Sequence, residues 1–313
     1  MRDHPDDSAT TSLPQSASPK TVPNAAVSEG GSPRTDAPGR SLRRRGRGRP
    51  YALAFIAVLI VFFLPLAYAL GTHYAEGDRP SDWRTARRDS TGIAPPPAAT
   101  PEAVVHVYAA RAFRWRGAFG VHTWIAAKPQ GADAYTRFEV MGFNVARGGR
   151  AVRVASGIPD GHWYGSPPTL IREVRGGDDV DALIERLHRA AAEYPYDDRY
   201  RLWPGPNSNT FIAYLGRAVP ELRIDLPPTA IGKDYLPDGA WWSRAPSGGG
   251  VQFSMNGLFG FIVAPEEGLE LNLLGLSVGI DLRPVAIKLP GIGRIGRAEE
   301  PSQPPDVATE ARS

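Results

Sequence analysis

The chain has 313 residues, 42% of them hydrophobic, which is enough for one sizeable packed domain or two small ones with tails. It contains no cysteine, which excludes disulfides, thiolate metal sites and a cysteine nucleophile. The formal charge of +3 is unevenly spread: residues 1–50 carry nine Lys/Arg against five Asp/Glu, and the rest carry 27 against 28. The body therefore lacks the broad basic footprint of a nucleic-acid binder, and no nucleic-acid partner is expected.

Residues 1–49 are rich in Ser, Pro, Thr and Asp and end in "RRRGRGR". With no periodic apolar pattern to offset the entropy of ordering, they predict a disordered basic tail. The next run, "PYALAFIAVLIVFFLPLAYALG" over 50–71, carries no charge. At about 1.5 Å per residue it is long enough for a bilayer's hydrocarbon core. Five arginines on its N-terminal side predict a single-pass bacterial inner-membrane anchor with the tail in the cytoplasm and the main domain in the periplasm. Ala67-Tyr68-Ala69 also fits a signal-peptidase site, but the apolar run is long for a signal peptide.

Residues 72–102 end in "APPPAATP" and read as a linker. The spacing then predicts an α+β domain over 103–247, built on one antiparallel sheet with a few helices. "GVHTWIAAKP" (120–129) and "AYTRFEVMGF" (134–143) form a predicted hairpin turning at Pro129 and Gly131. In "DDVDALIERLHRAAAEYP", Val180, Leu183, Ile184, Leu187, Ala191 and Tyr194 recur at helical spacing, with Asp178 or Asp179 as cap. His188 falls off that stripe, toward water. A second helix is predicted from near Asn209. Residues 248–295 predict a glycine-rich β-hairpin turning at Pro265-Glu266-Glu267-Gly268 and packed on the domain, and 296–313 predict a disordered tail. An apolar hairpin of this kind needs cover, from the domain, a partner or the membrane.

"RLWPGPNSNTF" (201–211) places two prolines, a glycine and two asparagines around one serine, just before a helical pattern. Asn207, Ser208 and Asn209 are all good helix caps. A serine at a helix N-terminus also has an environment suited to an oxyanion, but as a nucleophile it needs a base. His122 lies in an apolar strand, and the hairpin register puts Glu139 opposite or adjacent to it. This nominates Ser208, His122 and Glu139 as a catalytic constellation, with His162 as rival third member; the plainer reading is a cap and a core histidine. Asn207, Asn209, Trp203, His162 and Lys233 are nominated as ligand-binding residues. Trp203 belongs to the aromatic and charged run "YPYDDRYRLW", suited to a glycan or to packing, and Lys233 to "TAIGKDYLP". "WWSR" (241–244) reads as an interfacial anchor or a core filler. No histidine pair has ligand spacing, so neither a metal nor another cofactor is implied.

"HTWIAAKP", "YTRFEVMGF", "YPYDDRYRLWPGPNSNTF", "LPPTAIGKDYL" and "LGLSVGIDLRPVAIKLPGIGR" resemble the bacterial family called domain of unknown function 3750, over residues 103–295. That resemblance implies no particular activity. A strand histidine, a polar residue on the next strand and a helix-opening Asn207-Ser208-Asn209-Thr210-Phe211 also resemble, at the level of pattern, the circularly permuted papain-like fold. Cell-wall peptidases and lecithin:retinol acyltransferase-type enzymes have that fold. The likeness implies Ser208 in the nucleophile's place, His122 as base and Glu139 or His162 as third member. Serine for cysteine weakens such a site, because a hydroxyl is far less acidic than a thiol. Two readings are carried forward. In the first, a cleft lined by the WPGPNSNTF loop binds an envelope peptide, glycan or lipid. In the second, Ser208 serves a hydrolase or acyltransferase acting on an envelope amide or ester. A third reading has the C-terminal hairpin dock a membrane partner.

Overall fold

The computed structural model describes residues 49–77 and 82–296; the expected tails, 1–49 and 296–313, lie outside them except for Arg49 and Gly296, and so does the stretch 78–81. Helix α1 (Arg49–Ala75) covers the apolar run and continues four residues past Gly71. It is long and apolar enough to cross a membrane.

The body is α+β with two antiparallel sheets. The first contains β1 (Ala103–Arg111), β2 (Val121–Lys128), β3 (Thr136–Val140), β4 (Val152–Ser156) and β5 (Thr169–Gly176), in the order β4-β3-β2-β1-β5. The expected β2–β3 hairpin is present, with Ile125 opposite Phe138 and Ala127 opposite Thr136. A single-turn helix, α2 (Gly142–Val145), follows β3.

Side chains alternate across a strand, so each strand of this sheet serves two different layers. Val105, Val107, Ile125, Ala127, Phe138 and Val140 face a core shared with α3 (Asp178–Ala192) and α4 (Ser208–Ala218). In α3 the expected stripe supplies Val180, Ile184, Leu187 and Ala191 to that core, and His188 stays exposed with its ring edge on Phe138. The cap position is Gly177, with no side-chain cap. Asp178, Asp179 and Asp181 instead occupy the first turn, where the helix dipole favours negative charge. The opposite face carries Val104, Tyr108, Trp124, Ala126 and Tyr135. Residues 82–102, expected as a free linker, lie over this face instead. The buried Asp160 carboxylate holds them, accepting from Ser90 Oγ and the backbone amides of Ile93 and Ala94 at 2.7–3.1 Å.

The second sheet is a seven-stranded meander rather than one long hairpin. Its strands are β6 (Trp242–Ser243), β7 (Val251–Met255), β8 (Phe259–Ala264), β9 (Gly268–Leu273), β10 (Leu276–Leu282), β11 (Val285–Leu289) and β12 (Gly293–Gly296). Glycines and Asn256 at positive φ turn the chain repeatedly, and the expected Pro265–Gly268 turn is the one joining β8 to β9. The alternation in this sheet is inverted relative to a soluble sandwich. Gln252, Ser254, Glu270, Asn272, Ser277, Asp281 and Lys288 point inward and are buried. Val251, Met255, Phe259, Val263, Leu269, Leu271, Ile280, Leu282, Val285 and Ile287 are on the exposed face. The expected packing of this segment on the domain therefore occurs through its polar side. Sequence patterning identified the apolar strands but not the direction in which they would turn.

Candidate functional site

The WPGPNSNTF loop is a junction of the fold. Asn207 caps α4, its Oδ1 accepting from the amides of Asn209 (2.9 Å) and Thr210 (3.1 Å). Thr210 Oγ1 closes the box, accepting from the Asn207 amide at 3.1 Å and donating to Gly232 O at 2.8 Å. Asn207 Nδ2 donates to Leu202 O and Ile231 O. Asn209 Nδ2 donates to Val121 O and Ile231 O, and its Oδ1 accepts from Thr123 Oγ1 at 2.9 Å. Each asparagine thus ties α4 to the 229–235 loop, and Asn209 also ties it to β2. Gly232 sits at φ +102, and a Cβ there would come within 2.3 Å of Asn207 Nδ2, so this contact requires glycine. Ser208 is the first residue of α4 and is 5% exposed.

His122 and Glu139 do come together, His122 Nε2 lying 3.8 Å from Glu139 Oε2. That is an electrostatic contact rather than a hydrogen bond. The Glu139 carboxylate is bonded instead by Arg137 (2.8 Å) and Arg153 (2.6 Å), and the His122 ring stacks on Trp163 at 3.5 Å and packs on Trp124. Burial lowers the His122 pKa, with Glu139 opposing, and keeps the ring neutral. Burial would raise the Glu139 pKa, but the facing His122 ring and the bonds and charges of Arg137 and Arg153 outweigh it and hold the carboxyl at about 2.

Ser208 does not join this pair. Thr123, which bonds Asn209, lies on the helix face of β2, whereas His122 and Trp124 lie on the opposite face against Trp163. The sheet separates the nominated nucleophile from its base. The one-residue alternation of a strand decides this, and only the packed structure shows which face the helix takes. His162, the rival third member, bonds the Asp89 carbonyl through Nδ1 at 2.9 Å. The expected constellation is therefore divided, and a general base within hydrogen-bond reach of Ser208, the requirement for activating it, is not supplied by His122.

Of the nominated ligand-binding residues, Asn207, Asn209 and Lys233 meet at the 229–235 loop, but their polar groups are taken up by the fold. Lys233 is 1% exposed and its Nζ is bonded by Glu270. It belongs to a buried ionic cluster in which Lys288 bonds Glu270 (2.8 Å) and both oxygens of Asp225 (2.9 Å). Trp203 is half exposed and donates to Leu274 O at 2.9 Å, between β9 and β10. Asn207 and Asn209 are buried and their amides are engaged within the fold.

Two features escaped sequence reasoning. His106 bridges Tyr108 OH and Glu173 Oε2, both at 2.8 Å, on the same face as His122. Its place in an alternating strand was the available signal. The other is a cleft of about 630 Å³ at the foot of α1, between Glu76, Arg111, Val121, Thr229 and the β11–β12 turn at Gly291–Gly293. The WPGPNSNTF loop does not line it. Asn209 nevertheless holds one wall, because it binds Val121 O, and the Val121 amide bonds Thr229 O at 3.1 Å. No sequence signal marks this cleft, whose walls come from six separate segments. Among the described residues no cluster has the makings of a metal site.

Fold and site define an α+β module of two antiparallel sheets preceded by one apolar helix. Residues 102–235 match the model of the family described as "Protein of unknown function (DUF3750)". The span covers β1 to β5, α3, α4 and the 229–235 loop, and stops before the meander. No curated protein and no solved structure matches the chain.

Proposed function

We propose that this protein is a membrane-anchored envelope module without serine-based catalysis, with its main domain in the periplasm, and that it binds a lipid in the cleft at the foot of α1. The observation carrying this reading is the position of the cleft: Glu76, at the end of the apolar helix, forms part of its wall. A site there opens at the level where a membrane's headgroups meet water, once α1 crosses the bilayer. The volume falls within the range of small-molecule sites, about 300–1,000 Å³. Ala110, Phe119, Val121 and Ile292 offer apolar surface, and Arg111 offers positive charge beside it, while Arg294 is paired with Asp281. Such a lining suits an acyl chain carrying an anionic headgroup.

The test is to purify the full chain in a mild detergent, exchange it against phosphatidylglycerol, and count retained lipid by native mass spectrometry. A Cβ added at Gly120 meets only ordinary contacts, 3.6 Å from Thr229 O, so Gly120→Leu intrudes on the cleft without backbone strain. Retained lipid that disappears in Gly120→Leu supports the reading. Equal lipid in both proteins, or none in either, overturns it.

A further inference from the structure

We propose that the apolar face of the β6–β12 meander is itself a membrane-docking surface, seated among the acyl chains of the leaflet at the C-terminal end of α1. This rests on α1 crossing the bilayer and is independent of the cleft. Four observations favour lipid as the occupant.

The face is uncharged throughout. Rows such as Val251–Val263–Leu269–Ile280–Ile287–Ile295 cross six of its seven strands without a polar side chain. A docking face for a soluble protein carries polar groups at its rim, and a soluble monomer rarely exposes an apolar patch of this extent.

The anchor fixes the depth of the sheet. Phe62, Pro65, Leu66, Ala69 and His73 form the covered stripe of α1, which packs on β10, β11 and the 114–118 turn. A Cβ at Gly291 would come within 2.9 Å of Ala69 Cβ and 3.2 Å of Leu66 Cδ2, so the β11–β12 turn lies against helix residues inside the apolar run. Leu66 is five residues before Gly71, or about 7 Å of helix. A sheet touching α1 at that level reaches below the headgroups.

The surroundings have interfacial chemistry. Gly117 lies against His73, just past the apolar run, and the adjoining Arg114 and Trp115 are exposed. Exposed Trp241 and Trp242 stand at the β6 edge, in contact with Phe253. Tryptophan beside arginine at headgroup depth is the expected pattern of a membrane interface.

Finally, the inverted alternation has a physical reason in lipid. The charges of Glu270, Lys288 and Asp281 are paired inside the protein, and the side facing outward needs no water. An apolar sheet face can enter the interfacial zone because the backbone groups of its inner strands, β7 to β11, are paired within the sheet.

The absence of native cysteine allows single-site labelling. Spin labels at Val263→Cys, Leu271→Cys and Ile280→Cys would be read in the full chain reconstituted into phosphatidylcholine–phosphatidylglycerol vesicles. Accessibility to oxygen is compared with accessibility to a water-soluble nickel chelate. Val58→Cys in α1 reports the span, and Asp198→Cys on an exposed loop reports water. The expected result is oxygen-accessible, nickel-protected labels on the face, at about 5–10 Å depth. Nickel access equal to that at residue 198 overturns the proposal while the anchor stands, provided residue 58 is protected. Protection from both reagents, with broadening between labels, assigns the face to a second copy and also overturns it. A residue 58 label open to nickel sinks the anchoring reading itself.

Discussion

Asn207 and Asn209 donate to the same acceptor, the carbonyl oxygen of Ile231, at 2.9 and 2.8 Å. Two side chains two residues apart thereby clamp the start of α4 to the loop that also supplies Gly232 and Lys233. The serine between them makes no bond in this clamp.

Asn209→Ala should accordingly destabilise the protein much more than Ser208→Ala. It removes three bonds and strands the buried Thr123 hydroxyl and Val121 carbonyl, at about 3 kcal/mol given 1–3 kcal/mol for an unsatisfied buried group. Ser208→Ala should cost less than about 1 kcal/mol. Urea unfolding of both variants in the same detergent checks the ratio, and similar midpoints would argue against the clamp.

Ser208 should not react with a fluorophosphonate probe, because its nominated base lies across the sheet. Wild type, Ser208→Ala and His122→Ala should give equally blank signals in a labelling gel. Labelling lost in both variants would show that the two residues meet and would restore the hydrolase reading.

Stability should fall with acid in two stages. Below pH 6.5 the unfolded chain protonates His122 while the folded chain resists, so the unfolded state binds more protons and stability drops. Between pH 4.5 and about 2 the same sign applies to Glu139, whose folded pKa is depressed. That carboxylate is 2% exposed, and a shift of this size is worth on the order of 3 kcal/mol, present above pH 4.5 and lost toward pH 2. Glu139→Gln should reduce the lower stage, which Asp160 and Glu173 share, and His122→Gln the upper one, which the buried His106 shares. Unfolding midpoints measured from pH 8 to 2.5 distinguish them.

Lys233→Met should be strongly destabilising, by about 3–5 kcal/mol, since it leaves the buried Glu270 with Lys288 as its remaining partner. Adding Glu270→Gln should recover part of the loss. A double variant no more stable than Lys233→Met alone would mean that Lys233 contributes packing rather than charge.

The sequence by itself determined much of this protein. The uncharged run became one helix, the 3.6-residue stripe at Val180–Ala191 became α3, and the spacing of His122 and Glu139 brought them within reach across the β2–β3 hairpin. These are local consequences of propensity, period and turn chemistry, so short windows contain them. The tertiary structure alone decided which side of each strand meets which layer. It put α4 on the face of β2 opposite His122, stacked Trp163 on that imidazole, and buried Lys233, nominated to bind a ligand, in an ionic cluster. It also turned the polar side of the meander inward and left Leu271 and Ile280 outside. A strand's alternation fixes two faces without saying which is the interior, and that choice follows from partners distant in sequence: Asp225, Lys233 and the apolar helix.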